Sequence, residues 1–190
     1  MPLWITAAGS PRTYALAGEL GAGVLTHLLG QSLEQLEESL AGYADALTEH
    51  GHGVERERVC VMVRTHLGPD RHRALALARD PLKEYMRSSL SLFGLQSATP
   101  TGAGGDSAGT GTDVNAGDAA LEELLELAYQ DFSRERCLLG ALDDAMSLVE
   151  KLAAIGVDEI GCLVDFGIGT DEVLRGLRTL AELNRRCADL

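Results

Sequence analysis

A chain of 190 residues, 45% of them hydrophobic but only 4% aromatic, suits one domain or a piece of a larger one, with a core built from Leu, Ala, Val and Ile. Its 29 acidic residues against 16 basic ones give a formal net charge of -13, a field that repels nucleic acid and anionic membranes and sets both aside as main partners. No apolar run reaches bilayer-spanning length. Met1-Pro2-Leu3-Trp4-Ile5 also lacks the basic flank and long apolar stretch of a secretory signal.

The first apolar run, Leu3 to Ala8, ends at Gly9 and reads as a buried strand. Ser10 then takes the N-cap position and Pro11 the first helical position of a helix reaching about Leu20. Gly21 and Gly23 bracket the turn into a second strand, Val24 to Leu29. Ser32 followed by Gln35 forms a capping box, and Leu33, Leu36, Leu40, Tyr43 and Leu47 make a helical apolar stripe that is core rather than a cofactor box. The third strand is Arg58 to Val63, ending near Arg64-Thr65-His66. A helix from about Arg71 to Leu95 follows, and Pro81 is expected to break or kink it.

A segment at about 97–118, rich in Gly, Ser and Thr, cannot bury enough surface to order itself and reads as a flexible surface loop. Asp118 is expected to cap a helix carrying Leu121, Leu124, Leu125 and Ala128. Leu142, Met146, Val149 and Leu152 mark another helix, closed by Gly156. The fourth strand is Glu159 to Phe166. The last helix starts at Thr170, with Asp171 and Glu172 in its first turn and Arg185 and Arg186 in its last, matching the helix dipole.

Apolar strands alternating four times with amphipathic helices specify a parallel sheet covered by helices, in one domain over residues 1–190. Both a doubly wound sheet and part of an eight-unit barrel fit the pattern. The absence of a G-x-G-x-x-G or P-loop motif after any strand weighs against a nucleotide-binding fold. Four strands cannot close a barrel, so a barrel-like chain needs strands from elsewhere.

Ligands in such sheets bind beyond the carboxyl ends of the strands. In Ala8-Gly9-Ser10-Pro11-Arg12-Thr13, free N–H groups, two hydroxyls and a helix N-terminus suit a phosphate; alternatively Ser10 only caps the helix and Arg12 is solvated. His27 is either a core histidine bonded to backbone or a site residue. Arg64 and His66 share a strand end, so one of them can line a site while the other faces away. Asp165 either binds a ligand hydroxyl or caps the next turn. The four cysteines, Cys60, Cys137, Cys162 and Cys187, have neither C-x-x-C nor zinc-ligand spacing and fit buried, reduced thiols in a cytoplasmic protein.

Three ordered segments, Pro2 to Pro11, Gly21 to Gln31 and Gly156 to Gly167, with weaker support from Asp80 to Tyr85 and the final helix, resemble the luciferase-like monooxygenase superfamily. The resemblance is to the FMN-dependent branch of natural-product biosynthesis, in its C-terminal half. It implies a (β/α)8 TIM-type barrel of which this chain supplies strands 5–8, a half-barrel incomplete alone.

The same resemblance places the flavin phosphate at Gly9, Ser10 and Thr13, with Thr65 also at the cofactor and His27 and Asp165 at the reacting centre. It implies FMN reduced by a separate reductase, O2 as co-substrate and an organic substrate, carrier-tethered or peptide-like by analogy. As partners it implies the missing N-terminal half-barrel or a second copy. The chain departs from the family where Arg64 stands in place of a His and His66 in place of an aromatic. Two other functions stay open: a non-catalytic half-barrel remnant or assembly partner, and a flavin- or deazaflavin-dependent reductase of the same superfamily.

Overall fold

The computed structural model describes residues 1–53, 58–89 and 113–188. Five strands, β1 (Trp4–Thr6), β2 (Gly23–His27), β3 (Val59–Leu67), β4 (Leu138–Gly140) and β5 (Glu159–Leu163), are interleaved with helices α1 (Pro11–Glu19), α2 (Leu33–Glu49), α3 (Arg71–Ser88), α4 (Asp113–Glu135), α5 (Leu142–Ala154) and α6 (Thr170–Cys187). All pairings are parallel. β3 lies between β2 and β5 along its first half, and its last three residues pair with β4. Among the described residues β1 pairs only with β2 and β5 only with β3, so both sheet edges are open.

The sheet has one covered face. Burial alternates along β3, with Val59, Val61 and Val63 buried and Cys60, Met62 and Arg64 half-exposed, because successive side chains point to opposite faces. The buried set joins Val24 of β2 in a core with Tyr14 and Ala17 of α1, Leu36, Leu40, Tyr43 and Leu47 of α2, Leu148, Val149 and Leu152 of α5, and Leu183 of α6. α1 and α2 approach closely through Gly18, where a Cβ would stand 2.6 Å from the Tyr43 carbonyl oxygen and 2.7 Å from Ala46 Cβ.

A second core, built from Ala78, Leu82 and Met86 of α3, Leu125, Tyr129 and Phe132 of α4, and Leu29, Leu139 and Phe166, seats the α3–α4 pair over the carboxyl end of the sheet. Arg79 and Lys83 of α3 pair with Glu126, and Lys83 and Arg87 pair with Glu122, tying the two helices together.

Local expectations held where a side chain fixes the boundary. The Ser32 hydroxyl accepts from Gln35 N–H at 3.2 Å, and Gln35 Oε1 accepts from Ser32 N–H at 2.9 Å, the reciprocal bonds of a capping box. Of the break or kink expected at Pro81, the break does not occur: α3 runs through it, the buried stripe Ala74, Ala78, Leu82, Lys83 and Met86 outweighing the lost hydrogen bond. Four expectations are corrected. α4 begins at Asp113 rather than at Asp118, so the segment expected as a loop at about 97–118 ends in helix; its residues 97–112 lie outside the described residues. β3 extends four residues past Val63, and β5 stops three short of Phe166. A fifth strand, β4, enters between α4 and α5.

Candidate functional site

Two places at the carboxyl end of the sheet carry site chemistry. The first is the turn from β1 into α1. Gly9 has φ 85°, a conformation only glycine adopts without strain, with the Gln31 side chain against it. Ser10 is the N-cap, yet its exposed hydroxyl makes no capping bond; its carbonyl accepts from Thr13 N–H at 2.9 Å instead. Pro11 contributes no N–H, so the helix start keeps the Ser10 hydroxyl and the half-buried Thr13 side chain for an outside acceptor. Ser10 thus takes the expected N-cap position, without a side-chain cap.

A buried polar network fixes the floor beneath this turn. Tyr14 Oη lies 2.7 Å from Thr26 Oγ1, and Gln31 Nε2 donates to Thr26 Oγ1 at 3.0 Å and also to the His27 carbonyl. Buried polar atoms must be paired, and here the pairing links α1, β2 and the loop after β2 into one rigid support.

The second place is a cavity of about 150 Å3 lined by His27 and Leu29, Met62 and Arg64, Tyr85 of α3, Phe132 and Arg136 of α4, and Leu163. His27 sits on the open face of the sheet, level with Met62. Its Nδ1 accepts from Leu29 N–H at 3.2 Å, which leaves the ring proton on Nε2. Burial holds its pKa below the ordinary histidine value, and the Arg64 cation adds to that. His27 is therefore a neutral hydrogen-bond donor, both the backbone-bonded residue and the cavity residue that the sequence left as alternatives.

Arg64 lies over the Tyr85 ring with its guanidinium carbon 3.9 Å from the centroid, and its Nε is buried without a hydrogen-bond partner. Thr65, expected at the cofactor, points the other way: it is buried, donates to the Val63 carbonyl at 2.9 Å and lies under α6. Alternation along β3 puts Arg64, not Thr65, on the open face. His66 is also buried, beneath α6 beside Gly176, with its pKa lowered by burial and raised in part by Glu172. Asp165 is exposed beyond the end of β5 and is not part of the cavity wall. The structure thus brings His27 and Arg64 together, with Tyr85, Phe132 and Arg136, which the sequence did not single out. The remaining signal for Arg64 was the period-two set Cys60, Met62, Arg64.

A larger cavity of about 670 Å3 lies elsewhere, between α5 and α6 against the start of β5. It is bounded by Leu180, Leu183 and Cys187 and by the open edge of the sheet, away from the strand ends where chemistry collects in this architecture.

A family model described as luciferase-like monooxygenase matches residues 1–159. No curated protein matches the chain. Among solved structures, the chain is similar to a monooxygenase from Streptomyces bottropensis (15% identity, TM-score 0.56), covering 95% of this chain and 46% of that one. It is also similar to the oxygenating constituent of 3,6-diketocamphane monooxygenase from Pseudomonas putida in complex with FMN (16%, 0.60, 95% and 47%). A third is the coenzyme F420 dependent tetrahydromethanopterin reductase from Methanopyrus kandleri (15%, 0.59, 96% and 51%). At these identities the likeness is one of fold. The chain spans about half the length of these structures.

Proposed function

Because the chain belongs to the luciferase-like monooxygenase family, an assignment that makes it part of a flavin- or deazaflavin-type oxidoreductase, we propose that it carries one side of an FMN site in a monooxygenase. In this reading β1, β2, β3 and β5 are strands 5–8 of a (β/α)8 barrel. The open edges of β1 and β5 are covered by four further strand–helix units from an N-terminal half-barrel or from a second copy. The half-length match to complete family structures supports this arrangement.

The observation that carries the proposal is the open β1–α1 turn, with Gly9 at φ 85°, an uncommitted Ser10 hydroxyl and Thr13 beside it, at the same end of the sheet as His27 and Arg64. β1 and β3 flank β2, so the turn after β1 and the carboxyl half of β3 lie two strands apart on one sheet. In this reading the phosphate lies at Ser10 and Thr13 and the ring toward Arg64. The flavin supplies the oxygenation chemistry once a separate reductase has reduced it and O2 is present. The residues of this chain bind the phosphate, donate to the ring edge from His27 Nε2, and screen the end of the sheet from water with the α3–α4 pair. Asp165 stands at the rim, where it meets substrate. The substrate class is an organic intermediate of secondary metabolism, and the site of action is the cytoplasm. No described helix is long and apolar enough to cross a membrane.

The test is an FMN titration of the chain and of its Ser10→Ala/Thr13→Ala variant by flavin fluorescence. The variant should bind at least about tenfold more weakly, since each charge-assisted hydrogen bond contributes about 1.5–3 kcal/mol. Equal affinities would remove the phosphate assignment. A second reading, a reductase transferring hydride, is favoured by the equally good fit to the F420 dependent enzyme. Flavin oxidation by substrate without O2 uptake would establish that reading instead.

A further inference from the structure

We infer that the cavity beyond the end of β3, between the first turns of α3 and α6, is a second binding site. It fits a small hydroxy acid, with the carboxylate at Arg73 and Arg175, an apolar body against Leu67 and Leu77, and the hydroxyl on His66. The cavity has a volume of about 300 Å3, the lower end of the ~300–1,000 Å3 usual for small-molecule sites. It shares no lining residue with the cavity of His27 and Arg64, so the inference stands apart from the flavin reading.

His66 is 6% exposed and lines this cavity. Its Nδ1 edge is turned to α6, where a Cβ on Gly176 would stand 3.5 Å away. No hydrogen bond to its ring is found among the described residues. Burial lowers its pKa and Glu172 raises it in part, with no hydrogen bond contributing. Among the described residues Arg64 Nε is the sealed side-chain polar atom without a partner. The unpaired nitrogens of His66 therefore open onto the cavity instead of into packing. A buried polar group left unpaired is unfavourable. Neutral imidazole offers one donor and one acceptor, and a ligand hydroxyl, which both donates and accepts, satisfies either tautomer.

Glu172 Oε1 accepts from Arg73 Nη2 at 2.9 Å and also from Arg175. A guanidinium has five N–H donors. These two share one carboxylate oxygen, so most of their donors remain for a second anion. Both arginines are more than half exposed, which puts the charge at the mouth and His66 at the floor. Asp70, the other carboxylate at the cavity, accepts from Arg73 N–H at 3.1 Å as the cap of α3. The rest of the wall is largely apolar, with Leu67, Pro69, Ala74 and Leu77, and suits an apolar body. A charged mouth, an apolar wall and a hydrogen-bonding floor match the three parts of a hydroxy acid.

The experiment measures dissociation constants of para-hydroxybenzoate and of benzoate by calorimetry, with the NMR shift of the His66 imidazole reporting where they bind. The chains compared are the wild type, Arg73→Gln/Arg175→Gln and His66→Phe. The wild type should bind both acids saturably, shift His66, and prefer para-hydroxybenzoate by about fivefold, the scale of one neutral hydrogen bond. Arg73→Gln/Arg175→Gln should weaken both acids at least about tenfold, because it removes the donors and leaves Glu172 unneutralised. His66→Phe should keep benzoate binding and lose the preference for the hydroxyl, which separates lost recognition from lost folding. No saturable binding, an unmoved His66, equal affinity of the wild type for the two acids, or unchanged affinity in the arginine variant would overturn the inference. Each of these leaves the flavin reading standing, since FMN binding is measured at other residues.

Discussion

Thr26 shows how single side chains set the geometry of this protein. Its hydroxyl is fully buried, 2.7 Å from Tyr14 Oη and 3.0 Å from Gln31 Nε2. Thr26→Val keeps the shape and removes both of these hydrogen bonds, so chemical denaturation should show a loss of about 1–3 kcal/mol. The effect should extend to the Gly9 turn, because Gln31 packs against Gly9.

His27 gives a second test at this scale. Burial, and then the Arg64 charge, hold its pKa below the ordinary histidine value. The folded state thus binds fewer protons than the unfolded state. The stability tied to neutral His27 is complete above the ordinary value of about 6.5 and is lost as pH falls from there toward the depressed folded pKa. An NMR titration of the imidazole should place His27 below that ordinary value. Arg64→Met should move it upward by removing the neighbouring cation. A titration unmoved by Arg64→Met would show that the two side chains do not interact.

At the scale of elements, the α1–α2 pair is built on a close approach. A Cβ at Gly18 would sit 2.6 Å from a backbone oxygen of α2 that cannot swing aside. Gly18→Ala should therefore destabilise the protein by about 1–3 kcal/mol through overpacking, despite alanine's better helix propensity. A more stable Gly18→Ala variant in thermal unfolding would show that the helices part without cost.

The parallel sheet, the capping box at Ser32 and the apolar stripes of α2 and α5 were legible because each is a periodic or paired signal in the sequence. β4 was not legible, because three residues, Leu138 to Gly140, are too few to display a period. The end of β3 was misread for a different reason. The polar run Arg64-Thr65-His66 looked like the end of a strand, whereas β3 continues through it to Leu67, with the burial alternation holding as far as Thr65. Extending that alternation sends Arg64 to the open face and Thr65 under α6. Contacts between distant segments, such as Arg64 with Tyr85, have no local signature.

For the molecule as a whole, the decisive features are its two open sheet edges and its single covered face. Apolar and polar side chains on the uncovered face, Leu25, Cys60 and Met62 with His27 and Arg64, are half-exposed. Leu16 and Leu20 of α1 and the turn after it, and Leu174 and Leu177 of α6, are large exposed apolar side chains. In the proposed barrel, a complementary half would bury these groups and pair both strands.

The most direct test of the account is saturation of the chain with FMN, followed by flavin fluorescence. The account predicts saturable binding at one FMN per chain, weakened by Ser10→Ala/Thr13→Ala. A folded chain that leaves FMN fluorescence unchanged at every concentration, alone and with the complementary half-barrel added, would contradict it.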